Sequence, residues 1–202
     1  MKSLPYFSFL ILLFIAACNT PTTKTESTEV TDSNPVDSTA KNVVEKQRID
    51  TTLIGDINFD SKLDTAFIIT PAIISDTADM VNTCVNDSCF VRIKFSVPLP
   101  ELVHQQAIYG RLFNVGDLNE DGIAEILYAP DWFSSCWSGV YVYAFSKGQW
   151  SAVANASVYS CNDAVGYDTR VKKIKKNEFI LYGDKLEDNG KMIREKNTVV
   201  LK

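Results

Sequence analysis

Gly116-Asp117-Leu118-Asn119-Glu120-Asp121-Gly122-Ile123-Ala124-Glu125, running on into the apolar stretch Ile126-Leu127-Tyr128-Ala129, decides how the rest of the chain is read. Counting from Asp117, oxygen-bearing side chains stand at positions 1, 3, 5 and 9. Three of them can converge when the backbone turns tightly, and a carbonyl at position 7 with a carboxylate at position 9 then closes an oxygen cage for a hard cation. The pattern recurs 61 residues upstream, in Gly55-Asp56-Ile57-Asn58-Phe59-Asp60-Ser61-Lys62-Leu63-Asp64, which runs into the apolar stretch Ala66 to Ile69. Repeats with periods near this length suggest modular β architectures.

The candidate metal ligands are therefore Asp117, Asn119, Asp121, the Ile123 carbonyl and Glu125 in one loop. In the other they are Asp56, Asn58, Asp60, the Lys62 carbonyl and Asp64. Three carboxylates per loop repel one another, and a divalent ion removes that cost. Ca²⁺ is preferred over Mg²⁺ because it accepts more protein oxygens in looser geometry. An EF-hand would need a bidentate Glu at position 12 between two helices. Position 12 is instead Phe67 or Tyr128, inside a β-favouring run, so a helix-flanked site is excluded. Gly122 fills the turn position of the second loop where the first has Ser61, which makes the second the better site. The competing reading is an Asx-rich turn held by side-chain-to-backbone hydrogen bonds without metal. Two aligned copies weigh against it.

Phe113 to Phe145, with the loop, Ala129-Pro130 and Gly139-Val140-Tyr141-Val142-Tyr143, resembles an FG-GAP repeat, the blade unit of integrin α-chain propellers and related bacterial extracellular proteins. Ile54 to Thr70, followed by Pro71, resembles a weaker copy with Phe90 to Phe95 as its later strand. The resemblance implies four-stranded antiparallel units, each with Ca²⁺ in the loop between its first strands. A closed propeller needs at least four blades, whereas two copies are recognisable here. Trp150–Tyr159, Arg170–Ile174, Glu178–Tyr182 and Lys191–Leu201 read as further strands, and Lys185–Gly190 as a hairpin turn. The expectation is a mainly β domain from Val43 to Lys202, built of antiparallel, propeller-blade-like sheets whose closure is left open. Unclosed sheets leave edges for another protomer or a loop to cover, so the oligomeric state stays open too.

The N-terminus carries an address. Lys2 precedes an apolar run, Leu4 to Ala17, of 14 residues, short of the roughly 20 that span a bilayer. Its length, charge and small-residue finish suit a secretory signal over residues 1–17. Ile15-Ala16-Ala17-Cys18 resembles the bacterial lipoprotein cleavage box, which implies lipidation of Cys18 as the first mature residue. Residues 18–42 are rich in Thr, Ser, Pro and acids. They bury too little to offset ordering entropy and read as a flexible stalk. The expected place is the bacterial cell envelope, with the chain tethered to a membrane by lipid.

Cys84, Cys89, Cys136 and Cys161 remain. An even number in an exported chain suggests disulfides with three possible pairings. The local pairs Cys84–Cys89 and Cys136–Cys161 are preferred because both fit hairpin closure. Zinc is disfavoured for want of a CxxC pair.

A formal net charge of −5 argues against a nucleic-acid partner, which demands a cationic surface. His104 is the single histidine, and it has no visible acid–nucleophile context, so a satisfied imidazole is expected. Trp132, Phe133 and Trp137 crowd one loop near Cys136. They either stack on a sugar or fill a partner's pocket, or they cap the β core, the reading the need for interior residues favours. The basic run Arg170–Lys176 reads as the solvated face of a strand in preference to a surface for anionic lipid. No GxSxG, HExxH or Walker motif is present. Together these features favour a non-enzymatic, calcium-rigidified binding module for a protein or glycan. An envelope hydrolase using paired carboxylates, or an inhibitor or accessory subunit, is the alternative.

Overall fold

The computed structural model describes residues 43–76, 81–133, 135–161 and 166–201. The expected leader, Cys18 and the stalk lie outside these residues, as do Ser134 and Lys202. In chain order the strands are β1 (Val43–Glu45), β2 (Ile49–Gly55), β3 (Asp64–Ile69), β4 (Ile73–Asp76), β5 (Val81–Cys84), β6 (Phe90–Phe95) and β7 (Leu102–Gln105). They continue with β8 (Tyr109–Asn114), β9 (Ile126–Asp131), β10 (Trp137–Ser146), β11 (Gln149–Tyr159), β12 (Val171–Lys175), β13 (Glu178–Leu186) and β14 (Met192–Val200). Among the described residues the helical segments are two short 3-10 turns, Val85–Asp87 and Tyr167–Thr169.

The strands pair antiparallel into four sheets, none of them closed. Two are four-stranded, β2-β3-β6-β7 and β8-β9-β10-β11; two are three-stranded, β12-β13-β14 and β1-β4-β5. The C-terminal strands fall where the sequence places them. The β13–β14 ladder runs further than the composition suggests, pairing Lys185 with Ile193 and Leu186 with Met192. The hairpin turn therefore shrinks to Glu187–Lys191, closed by the Gly190 amide donating to the Glu187 carbonyl at 2.9 Å. The small sheet is new. Its β4–β5 hairpin is inserted between β3 and β6, leans on β1, and ends at a disulfide joining Cys84 to Cys89.

β9 explains how three sheets pack around two cores. Successive side chains of a strand point to opposite faces, and the apolar run lets both faces of β9 be buried. Ile126 and Tyr128 enter a core with Ile54, Ala66, Ile68, Val91 and Ile93 of the first four-stranded sheet. Leu127 and Ala129 enter a second core with Phe179 and Leu181 of β13. β3, by contrast, alternates buried and half-buried positions, so only one of its faces is covered. An unbroken apolar run marks a strand sandwiched on both sides.

The third sheet is held by a buried ion pair. Arg170 donates from both terminal nitrogens to the Asp184 carboxylate at 2.7 and 2.8 Å, and Asp184 also accepts the Tyr159 amide of β11 at 3.0 Å. Burial pushes the Asp184 carboxyl up, but the hydrogen bonds from Arg170 and Tyr159 reverse this and leave it below its ordinary value. Next to the pair, β13 passes β11 so closely that a Cβ on Gly183 would stand 3.0 Å from the Ser157 carbonyl oxygen. The basic run is therefore solvated from Lys172 onward, while Arg170 is buried, because Asp184 lies across the β12–β13 hairpin from it.

Removing one member of a buried pair strands the other charge at a cost of about 3–5 kcal/mol, whereas replacing both with apolar side chains costs far less. Arg170→Met should thus be strongly destabilising, and the added change Asp184→Leu should restore much of the loss. Urea midpoints of the two single variants and the double variant measure this; strictly additive losses would contradict it.

Candidate functional site: two acidic loops and an aromatic cavity

The two acidic loops occupy equivalent places. Residues 56–63 join β2 to β3, and residues 115–125 join β8 to β9, so each connects the first two strands of a four-stranded sheet. Their backbones match position by position. Gly55 and Gly116 have φ of 75° and 81°, Phe59 and Glu120 57° and 61°, and Ser61 and Gly122 70° and 90°. This left-handed region suits glycine at Gly122 and strains Ser61.

The same five hydrogen bonds shape both loops. Asp56 accepts the amides of Asp60 and Ser61 at 3.1 and 2.7 Å, as Asp117 accepts those of Asp121 and Gly122 at 3.1 and 2.9 Å. Asn58 and Asn119 accept the amides of Asp60 and Asp121. Asp60 and Asp121 accept those of Lys62 and Ile123, both at 2.9 Å. Finally Asp64 and Glu125 reach back to the amides of Ile57 and Leu118 at 2.9 and 2.6 Å.

Each loop also fastens its sheet to the next. The Asp56 carbonyl accepts the Asn114 side-chain amide at 3.3 Å, and the Ile57 carbonyl accepts the Ala124 backbone N–H at 2.8 Å. One repeat later, the Asp117 carbonyl accepts the Lys173 ammonium at 2.7 Å, and the Leu118 carbonyl accepts the Asn177 backbone N–H at 2.9 Å. Ile57 and Leu118 are themselves fully buried, one in each core. The joint between sheets is thus made twice by equivalent residues.

Among the described residues no group of three or more His, Cys, Asp and Glu side chains is arranged to hold a metal ion. The loop carboxylates are turned onto the loops' own amides. Their donor chemistry nonetheless fits a hard cation, being oxygen throughout. Glu125 adds a physical reason: only 1% exposed, its carboxyl is pushed up to about 7 by burial, with further repulsion from Asp121 and Asp117. A cation at this place would relieve both effects.

A second feature lies at the other end of β9. From Ile126, next to Glu125, this strand runs six residues to Asp131, a span of about 20 Å. There a cavity of about 760 Å³ opens between β7, β9 and β10. Trp132 and Trp137 stand at its mouth, 46% and 39% exposed, while His104 and Tyr143 lie buried at its floor. The core-capping role expected of the tryptophans is not what the structure shows. The Cys136–Cys161 disulfide and the Ser135 hydroxyl, which accepts the Trp137 amide and donates to its carbonyl, hold this segment outside the sheet's interior. Phe133 packs edge-on against Trp132 with ring centroids 5.1 Å apart.

His104 is the residue whose place the sequence concealed. Its Nδ1 is 2.6 Å from the Tyr143 hydroxyl, and its ring meets Tyr128 and Tyr141 edge-on at 5.0 and 4.6 Å. It is satisfied, as expected, yet it also lines the cavity. Gly139 matters here: a Cβ would lie 2.7 Å from the Tyr141 ring, which folds back across it. Burial depresses the His104 pKa to about 4.

Comparison with family models, curated proteins and solved structures returned no match.

The depressed pKa has a sign that can be measured. In the unfolded chain His104 takes up a proton near pH 6.5, while in the fold it stays neutral down to about 4. Its contribution to stability is complete above pH 6.5 and is lost as the pH falls from there toward 4. Between pH 6.5 and pH 5 the urea midpoint of the native chain should fall relative to that of His104→Asn, a comparison that cancels the opposite trend from Glu125, whose raised carboxyl favours the fold as the pH drops. Parallel profiles would contradict this account.

Proposed function

We propose that this chain is a calcium-rigidified binding module, tethered by lipid at Cys18 to a bacterial membrane and displaying its domain in the cell envelope at the end of the stalk. The single observation that carries the reading is the division of β9. One end meets an acidic loop that locks sheets together, and the other meets a cavity edged with exposed indoles. Rigidity and recognition would then sit at opposite ends of one strand.

In this reading the sheets β2-β3-β6-β7, β8-β9-β10-β11 and β12-β13-β14 are successive propeller-type blades. The repeated joint at Ile57 and Leu118 supports it, since a common step relates each sheet to the next. Asp117, Asn119, Asp121, the Ile123 carbonyl and Glu125 would hold one Ca²⁺; Asp56, Asn58, Asp60, the Lys62 carbonyl and Asp64 would hold the other. The ion supplies charge compensation and stiffness, not reaction chemistry. The loop residues themselves orient the Ile57 and Leu118 carbonyls toward the neighbouring sheet. A hydrolase built on paired carboxylates has less support, because Asp131 is the one carboxylate among the described residues lining the cavity beside Trp132 and Trp137.

Thermal unfolding of the disulfide-intact chain should respond specifically to calcium. With free ion at about 100 times the dissociation constant, each site adds about 2.7 kcal/mol, or about 5–10 °C in Tm for a chain of this size. Asp117→Ala should remove more of that rise than Asp56→Ala, and Mg²⁺ should produce little of it. Identical curves in calcium and in chelator would overturn the metal assignment.

A further inference from the structure

Trp132 separates two cavities. The larger lies toward Trp137 and Tyr141; a second, of about 420 Å³, lies toward Phe90, Phe133 and the Cys84–Cys89 disulfide. Gln105 and Gln106 line both, so the two form neighbouring compartments on either side of one indole. Each volume falls in the range of small-molecule sites. The walls are built to keep their shape. One disulfide borders the smaller compartment, and the other fixes the segment carrying Trp137, with the Ser160 amide and hydroxyl both donating to the Cys136 carbonyl. Gln106 is held at φ 58°, a backbone strain of the kind that gathers at binding sites.

The chemistry of the lining narrows the ligand. Its charged side chains are Asp131 in the larger compartment and Asp87 in the smaller, and no Lys or Arg lines either among the described residues. An anionic polymer would meet only like charge there. The amides of Gln105 and Gln106 each offer donors and an acceptor, and Ser135, Ser138 and the Asp131 carboxylate add more hydrogen-bonding capacity. Side chains that both donate and accept, set around exposed indole faces, match a molecule with an apolar face and a rim of hydroxyls. A pyranose ring is such a molecule, its C–H face meeting the electron-rich face of an indole. A single small organic cation would use the indoles and one carboxylate but leave the amides and the second compartment idle.

We infer that the two compartments are adjacent subsites for a neutral oligosaccharide, with Trp132 stacking at their junction and Trp137 stacking in the larger one. This deepens the binding-module reading and rests on it. It names the ligand as a glycan in place of a protein.

The test is calorimetry on the full chain with cellotetraose, chitotetraose, mannotetraose and maltotetraose as neutral probes, and with tetragalacturonate and choline as charged ones. At least one neutral probe should bind saturably. Trp132→Ala should weaken it by at least about tenfold, equivalent to about 1.4 kcal/mol, and Trp132→Phe should recover most of the loss. Trp132 is exposed, so the alanine variant should keep the native urea midpoint. The glycan inference is overturned if no neutral probe binds, if Trp132→Ala leaves binding unchanged, or if tetragalacturonate or choline is preferred. Capture of an envelope protein that Trp132→Ala abolishes, with no sugar binding, would overturn the glycan while leaving the binding module standing. Absence of both would sink the two together.

Discussion

A carbonyl can point outward from a turn only if the turn's own amides are satisfied from within. Ile57 and Leu118 meet that condition twice, because each acidic loop curls around its Asp, Asn and Asp side chains and frees the second residue's carbonyl for the next sheet. Remove the inward hydrogen bonds and the loop amides compete for any acceptor within reach. The sheets would then lose the contacts that set their spacing, and with it the two cores packed on either side of β9. The acidic composition of the loops is thus a requirement of the joint, and it also creates the electrostatic problem that the proposed divalent ion would solve. Glu125 shows the problem most plainly, since it is buried and close to two other carboxylates.

The cavity end of β9 is stiffened by other means. It has no acidic loop, so covalent bonds do the corresponding work: Cys84–Cys89 fixes the inserted hairpin, and Cys136–Cys161 fixes the segment that carries Trp137. The first disulfide lines the smaller cavity, and the second adjoins Trp137, which lines the larger one. Packing completes the arrangement. Trp150 donates its indole N–H to the Pro100 carbonyl at 2.9 Å and lies between Phe95 and Phe145, which ties the edge of the second sheet to the loop before β7. Pre-set walls lose little conformational freedom when a ligand arrives, which favours affinity.

Local features were legible in the sequence. The acidic loops, the unbroken apolar run of β9, the two short-range disulfides and the C-terminal strands all follow from spacing, periodicity and turn chemistry within a few tens of residues. What stayed hidden depends on partners far apart in the chain. His104 meets Tyr143 across 39 positions, so neither residue signals the other. Arg170 is disguised by the lysines after it, and only the β12–β13 hairpin brings Asp184 to it. The small β1-β4-β5 sheet escaped notice because its strands are three or four residues long, and β1 is exposed throughout. The cavity was half legible: three aromatics in one loop were visible, but their exposure follows from how the disulfide and Ser135 hold the segment.

Amide hydrogen exchange at Ala124 and Asn177 interrogates the central claim most directly, because these N–H groups make the two joints to the Ile57 and Leu118 carbonyls. Measured by NMR on the intact chain, both should exchange more slowly in calcium than in chelator. Amides of the exposed edge strand β14 should keep their rates. Equal exchange at Ala124 and Asn177 in the two conditions would show that the ion does not govern the joints.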